Sequence, residues 1–305
     1  MKISVVVAVY QNKGSLRPTY ERIIEVLKST TVDNYEFIFV DDGSTDGSLE
    51  ELLQLKNSDN NVKILSFTRN FGQMKAIIAG FRKASGNAVI NISADLQDPV
   101  ELIPVMISEW QKGAESVIGY RTSRDDDFKA KFFSKLAYSF IRLSLPQVPV
   151  GGFDYVLADR KVVDIFNAIE SEHRFFQGDF LWSGHKTMFL PYSRAKRTVG
   201  KSQYNFSKKM KVFLDAVLDS SYLPIRLMSL IGTCVFFLGV IYAIIIFFGW
   251  LFGKTPFPGW APIMITSLIL SGFIMLMLGI IGEYQWRIYD EVRKRPPYII
   301  RNTYE

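Results

Sequence analysis

The sequence predicts an α/β fold: a mostly parallel, doubly wound sheet domain, then amphipathic surface helices, then two membrane-spanning helices. Three observations carry this. Short β-branched runs alternate with helical patterns as far as Tyr120. Two of those runs lead into acids, at Asp41-Asp42 and at Asp95. Residues 227–253 and 261–282 carry no charge, and each is long enough for the roughly 20 residues that cross a hydrocarbon core.

The first run, Ile3 to Val9, reads as a buried parallel strand, because its β-branched residues are almost unbroken. Leu16, Tyr20, Ile23, Ile24 and Leu27 then share one helical face. Glu36 to Val40 is a second strand, and Val62 to Phe67 a third after a short helix. A helix through Ala76, Ile77, Ala79, Gly80 and Phe81 leads to the strand Ala88-Val89-Ile90. Ser116 to Tyr120 closes the series. The stretch Asn91 to Pro99 follows the fourth strand, so Asp95, Gln97 and Asp98 lie past a carboxyl end, where open α/β sheets collect ligands. Two acids and an amide there suit a divalent cation and a diphosphate. Taken alone, the stretch reads first as an acidic turn with Asp98 capping the helix that starts near Pro99, and the rest of the chain reverses that order.

Residues 121–127 read as a polar loop that either closes over the site or is simply solvated. Arg121 and Arg124 in it are candidate acceptor-phosphate ligands. Residues 128–145 form a helix with Phe132, Phe133, Leu136, Phe140 and Ile141 on one side, suited to a core or to a membrane surface. Asp154, among apolar neighbours, is a catalytic or substrate-positioning acid, or half of a structural pair with a residue such as Arg160. Arg194 to Ser202 packs cations around Gly200, which suits a phosphate. Residues 206–224 give a second amphipathic helix with lysines opposite its apolar face. This divides the chain into a catalytic domain (1–205), an interfacial helix (206–224) and a two-helix hairpin with its tail (225–305). Arg226 precedes the first span, and Arg287, Arg293, Lys294, Arg295 and Arg301 follow the second, so the positive-inside rule puts both termini and the catalytic domain in the cytoplasm.

Composition excludes other classes. The net charge of +6 is small and scattered, and there is no nucleic-acid-binding motif, so no nucleic acid partner is expected. One cysteine and two histidines provide neither a disulfide framework nor a Cys/His metal site. No G-x-G-x-x-G follows the first strand and no P-loop occurs, so phosphates must be met by a metal or by basic side chains.

Several motifs resemble one family. They are Val40-Asp41-Asp42-Gly43-Ser44, Thr68-Arg69-Asn70-Phe71-Gly72, Ala94-Asp95-Leu96-Gln97-Asp98-Pro99, Arg197-x-x-Gly200, and a tail running from Gly282-Glu283-Tyr284 to Tyr298-Ile299-Ile300. In this order, with two C-terminal spans, they resemble the polyprenyl-phosphate glycosyltransferases of glycosyltransferase family two. The resemblance implies a GT-A (Rossmann-like) catalytic domain. It implies inverting transfer of a sugar from a nucleotide sugar to a polyprenyl phosphate such as undecaprenyl phosphate, at the inner membrane, with Mg2+ or Mn2+. A UDP-sugar is favoured as donor over GDP-mannose, and the product would serve cell-envelope glycan modification. By resemblance, Tyr10, Asn12, Asp41, Asp42, Arg69, Gln73, Asp95 and Gln97 lie on the donor side, and Asp95 and Gln97 at the metal. Asp154 matches the acid that acts on or positions the acceptor, so Asp154 and Asp95 are the catalytic candidates. Arg197 and Ser202 match the acceptor-phosphate segment, with Lys201 adjacent to stand in for its usual lysine and Arg121 and Arg124 as further candidates.

The chain departs from the family pattern at four places. Ser93 stands where the first acid of the metal motif is usual. Asn12 replaces a donor-side acid, Val156 an arginine, and Gln203 a lysine. Three rivals remain. A catalytically inactive membrane scaffold that only binds nucleotide sugar has Ser93 as its support. A processive synthase would carry a Gln-x-x-Arg-Trp motif, which is missing here. A flippase would need a polar path that two uncharged spans do not offer. A two-helix hairpin is a thin anchor, which points to a homo-oligomer.

Overall fold

The computed structural model describes residues 1–123, 139, 142, 145–149, 152–193, 223–252 and 261–305. The chain forms two compact units, one of Met1–Ala216 with Pro296–Glu305, the other of Val217–Arg295.

The first unit is built on an eight-stranded sheet. Its strands are β1 (Lys2–Val9), β2 (Asn34–Asp41), β3 (Val62–Phe67), β4 (Ala88–Asn91), β5 (Ser116–Ser123), β6 (Tyr155–Asp159), β7 (Thr187–Ser193) and β8 (Ile300–Tyr304), in the order β7-β5-β6-β4-β1-β2-β3-β8. Helices α1 (Leu16–Lys28), α2 (Ser48–Ser58), α3 (Gln73–Lys83) and α4 (Ile103–Gln111) fill the crossovers; α5 (Arg160–Ala168) and α6 (Phe176–Trp182) follow β6. Side chains alternate along β1. Val5 and Val7 join the layer of α1, α2 and α4. Val6 joins the opposite layer, with α3, α5 and α6. Each large apolar side chain buried this way contributes about 1.5–3 kcal/mol relative to exposure. Period-two burial on both faces is what the unbroken β-branched run demands.

The sheet is mixed. The pairs β1–β2, β1–β4, β2–β3 and β5–β7 are parallel, whereas β4–β6, β5–β6 and β3–β8 are antiparallel. The series therefore does not close at Tyr120. Strand β6 inserts between β4 and β5, which are not neighbours. Arg121, expected in a loop, belongs to β5, because pairing with β7 carries that strand to Ser123. Asp98 does not cap a helix: a short 3-10 turn over Val100–Leu102 precedes α4, with no side-chain cap.

One buried acid is structural. Near the start of β2, Glu36 meets Lys2 and Lys63 at 2.9 Å each and accepts hydrogen bonds from Ser4 and Ser85. Burial pushes its carboxyl upward, but these donors together hold it well below the usual carboxylate range.

In the second unit, α7 (Leu223–Leu251) and α8 (Ala261–Val292) contain stretches of 25 and 30 residues long and apolar enough to cross a membrane. Their apolar side chains, such as Phe236, Phe237, Ile245, Leu268 and Met275, are exposed, which suits hydrocarbon and not water. Helix α8 continues past Gly282, where Glu283 pairs with Arg287 one turn on at 3.4 Å. The interfacial segment 206–222 and nearly all of 128–145 lie outside the described residues.

Candidate active site

The strand order β4-β1-β2 places three carboxyl ends side by side. Val9 is in register with Asp41, and Val6 with Asn91. Crossovers run in opposite directions from β1, so a crevice opens at this edge. Tyr10 to Asn12 leave β1 there, Asp41 and Asp42 leave β2, and Asp95 to Gln97 follow β4.

The β1 exit is a tight turn. Gln11 has φ 56, and the Asn12 side chain accepts from the Tyr10 N–H at 2.9 Å. Asn12 thus shapes the turn with its amide oxygen. Asp41 and Asp42 are both buried. Asp41 accepts from the Ser44 N–H at 3.1 Å and the Ser66 hydroxyl at 3.2 Å. Asp42 accepts from the Phe71 and Gly72 N–H groups at 2.6 and 2.9 Å, which ties the loop after β3 to the end of β2. Arg69 in that loop lies over the Phe71 ring at 4.2 Å, and Gln73 opens α3 at an exposed position.

Burial pushes Asp42 up to about 6, against the pull of those two N–H groups and helped by the Asp41 charge. A folded-state value above the ordinary 3.8 means the folded state favours the protonated form. That stabilisation is complete below the ordinary value and is lost as pH rises through about 6. Asp42→Asn stays neutral throughout. Its unfolding midpoint in detergent should therefore gain on that of the native chain between about pH 4 and pH 7. A difference that does not change with pH would refute the shift.

The loop after β4 is anchored by α1. The Ser15 hydroxyl donates to the Ala94 carbonyl at 2.8 Å, with Thr19 at 3.3 Å. Leu96 has φ 57, a conformation that costs a branched side chain energy and that persists only where the surroundings enforce it. It separates Asp95 from Gln97, whose N–H donates to Asp95 Oδ1 at 3.3 Å.

A second constellation joins four elements. The Ser93 hydroxyl donates to Asp98 Oδ2 at 2.5 Å, and the Tyr192 hydroxyl, from β7, donates to Asp98 Oδ1 at 2.6 Å. Arg121 Nε donates to the Tyr192 oxygen at 3.3 Å, and Arg121 Nη2 reaches Asp154 Oδ1 at 2.5 Å. The Asn91 amide donates to the Asp154 carbonyl at 2.5 Å. Asp98 is pushed up by burial and then by the Asp154 charge, while Arg121, Ser93 and Tyr192 pull it back. Tyr192 is pushed up by burial and by Asp98. Arg121 is driven higher still by the Asp154 carboxylate, despite its own burial. The Asp154 side chain keeps 33% exposure whereas that of Arg121 has 9%, so the acid faces outward from a buried cation.

One sequence expectation changes here. Asp154 pairs with Arg121, and Arg160 instead binds the Ala84 and Gly86 carbonyls and Asp164. Ser93, in place of the usual first acid, donates its hydroxyl proton to Asp98. Tyr192 was not singled out from the sequence. Its only signal there is a tyrosine just before the basic segment 194–202. Arg124, Arg197, Lys201 and Ser202 lie outside the described residues.

Among the described residues no three His, Cys, Asp or Glu side chains converge as a metal cage. Asp95 is a 5% exposed carboxylate on a crevice edge. That donor set fits a Mg2+- or Mn2+-type ion completed by substrate phosphate oxygens and water, not one enclosed by protein alone.

Comparison with known proteins accords with this geometry. A model of "Glycosyl transferase family 2" matches residues 4–218. The uncharacterised glycosyltransferase YkcC of Bacillus subtilis (strain 168) is 38% identical over 309 residues, spanning 100% of this chain and 94% of its own length. The SfII prophage-derived bactoprenol glucosyl transferase of Shigella flexneri is 34% identical over 308 residues, spanning 100% and 99%. Among solved structures, mannosyl-3-phosphoglycerate synthase from Rubrobacter xylanophilus superposes with a TM-score of 0.53 at 14% identity, over 72% of each chain, and shares the fold. The chain belongs to glycosyl transferase family 2: it is a glycosyltransferase with a GT-A catalytic fold.

Proposed function

We propose that this glycosyltransferase moves a sugar from a nucleoside-diphosphate donor, a UDP-sugar in the first instance, to the phosphate of a polyprenyl phosphate at the cytoplasmic face of the inner membrane. One observation carries the reading. The acids at the ends of β2 and β4 flank the exit of β1, in a chain whose full length, apolar helices included, matches a bactoprenol glucosyl transferase.

In this reading the nucleoside lies against the β1 exit, Asp41, Asp42 and the loop carrying Arg69. Gln97 and Asp95 meet the diphosphate, and Asp95 would hold a divalent cation. Such a cation, when bound, offsets charge that grows on the departing diphosphate. An acceptor phosphate oxygen attacks the anomeric carbon, the bond from that carbon to the diphosphate breaks, and the nucleoside diphosphate leaves with the electron pair. The acceptor is already an anion, so it needs alignment more than deprotonation. Asp154, held by Arg121 and Asn91, supplies that alignment as a positioning acid. Arg197, Lys201 and Ser202 would bind the acceptor phosphate. Positive charge after the second apolar helix supports cytoplasmic termini, and the lipid-linked sugar would serve envelope glycan modification.

The test is sugar transfer to undecaprenyl phosphate in detergent, from a panel of UDP- and GDP-sugars with Mg2+ or Mn2+. Product from one donor is expected. Donor binding without transfer to any polyprenyl phosphate would overturn the reading in favour of a nucleotide-sugar-binding scaffold. Asp154→Asn should retain donor binding while slowing transfer about 10²-fold or more, the scale of a lost acid–base or aligning group; near-normal turnover would remove Asp154 from the reaction.

A further inference from the structure

The C-terminal segment after α8 has no part in the chemistry above, yet it packs against the donor side. Strand β8 runs antiparallel to β3, pairing Ile64 with Tyr304, Leu65 with Thr303 and Ser66 with Asn302. The register then slips, so that Phe67 faces Ile300 and Arg301 is left over. A bulge of this kind re-aims the extra side chain. Arg301 Nη2 donates to the Thr68 carbonyl at 3.0 Å. The Thr68 N–H donates to the Ile299 carbonyl, also at 3.0 Å. Both backbone groups of Thr68 are thus held by the tail.

Rings extend the contact. Tyr298 stacks on Phe67 with centroids 5.0 Å apart and planes within 11°. Phe67 meets Phe71 edge-on at 5.7 Å. Phe71 supports the Arg69 guanidinium, and the Phe71 N–H donates to Asp42. On its other side the loop is pressed by Gly43, whose φ is 71 and where a Cβ would come within 2.6 Å of the Arg69 backbone. Lys83 pairs with Glu305, fixing the end of the strand.

We propose that residues 298–301 are a strap that sets the shape of the donor loop 68–72, with Tyr298 and Arg301 as positioning residues. The inference rests on the donor-side reading given under the proposed function. The strap holds Thr68 directly and Phe71 through Phe67, while Asp42 and Gly43 hold the loop from the β2 end. Releasing the strap leaves Arg69 and the β2 end free to sample geometries that do not bind nucleotide.

The experiment uses the full-length enzyme in detergent with UDP, GDP and their glucose and mannose derivatives, each with Mg2+. Tyr298→Ala and Arg301→Ala are each expected to raise the KM for the sugar donor, and the Kd for the free nucleotide, about tenfold, equal to about 1.4 kcal/mol. Turnover at saturating donor and the KM for polyprenyl phosphate should stay within about twofold, and Tyr298→Phe should restore native values, since the contact is made by the ring. Unchanged donor affinity in both variants would overturn the proposal. So would parallel loss of turnover and both KM values together with a lowered unfolding midpoint, because that is the signature of general destabilisation. Should Tyr298→Ala fail to fold, Arg301→Ala decides, because Arg301 is an exposed side chain. If the native enzyme binds none of the nucleotides, the donor-side reading itself fails; that result is read on the native chain, whereas the strap is read on the ratio of variant to native.

Discussion

Asp95→Ala is expected to lower the kcat/KM of sugar transfer by on the order of 10³, at or above the loss seen when a single group stabilising developing charge is removed. The reason is its place at the end of β4, beside the ends of β1 and β2. Ser93 and Asp98, the polar neighbours on the same loop, face each other, and Asp98 is closed off by Tyr192. In the proposed function Asp95, with Gln97 beside it, is the group that holds the cation. The turn that presents it is held by α1 through Ser15 and by the left-handed Leu96. Asp95→Asn keeps the volume and loses the charge, so it should resemble alanine. A readout separate from activity is Mn2+ binding in the presence of UDP, followed by electron paramagnetic resonance. The native chain should immobilise the ion and Asp95→Ala should not. Transfer that persists in excess chelator would sink the metal assignment.

Arg121→Ala should produce the largest loss of stability, about 3–5 kcal/mol, the scale for stripping one partner from a buried ion pair. Arg121 is the cation between Asp98 and Asp154, and it also supports the Tyr192 hydroxyl. Without it, the charges of Asp98 and Asp154 repel with no cation between them. Asp98 is already raised by burial and by Asp154; removing the guanidinium takes away a charge that lowers it and raises it further. A raised carboxylate stabilises the fold while protonated, and that stabilisation fades as pH rises through its folded-state value. The penalty of Arg121→Ala should therefore be smaller at pH 5 than at pH 8, measured by thermal unfolding in detergent. Transfer should fall too, about 10²-fold, because Asp154 loses the group that orients it. Unfolding midpoints within about 2 °C of native at both pH values would show that the pair is not the brace inferred here.

The parts of the fold legible in the sequence are those with a local signature. The run Ile3 to Val9 demands burial on both faces, and it received it as the sheet's central strand β1. The acids Asp41, Asp42 and Asp95 could be placed because strand ends are local events and the crossovers align them. The uncharged stretches read as spans because length and composition suffice. Strands β6, β7 and β8 were missed for the opposite reason. Each takes its place through partners far away in the chain. Arg121, in a polar run, looked like loop, and only the pairing of β5 with β7 extends the strand through it.

What the sequence determined by itself is the class of fold, the acids at its strand ends and the two apolar helices. Periodicity, β-branching and charge are properties of neighbouring residues. The tertiary structure alone decided which polar groups meet: Asp98 against the Tyr192 hydroxyl, and Asp154 against Arg121. Tyr192 lies 94 residues from Asp98, and Arg301 lies 233 from Thr68. Hydrogen bonds of such long reach are set by the sheet that brings the strands together, and no local pattern encodes them.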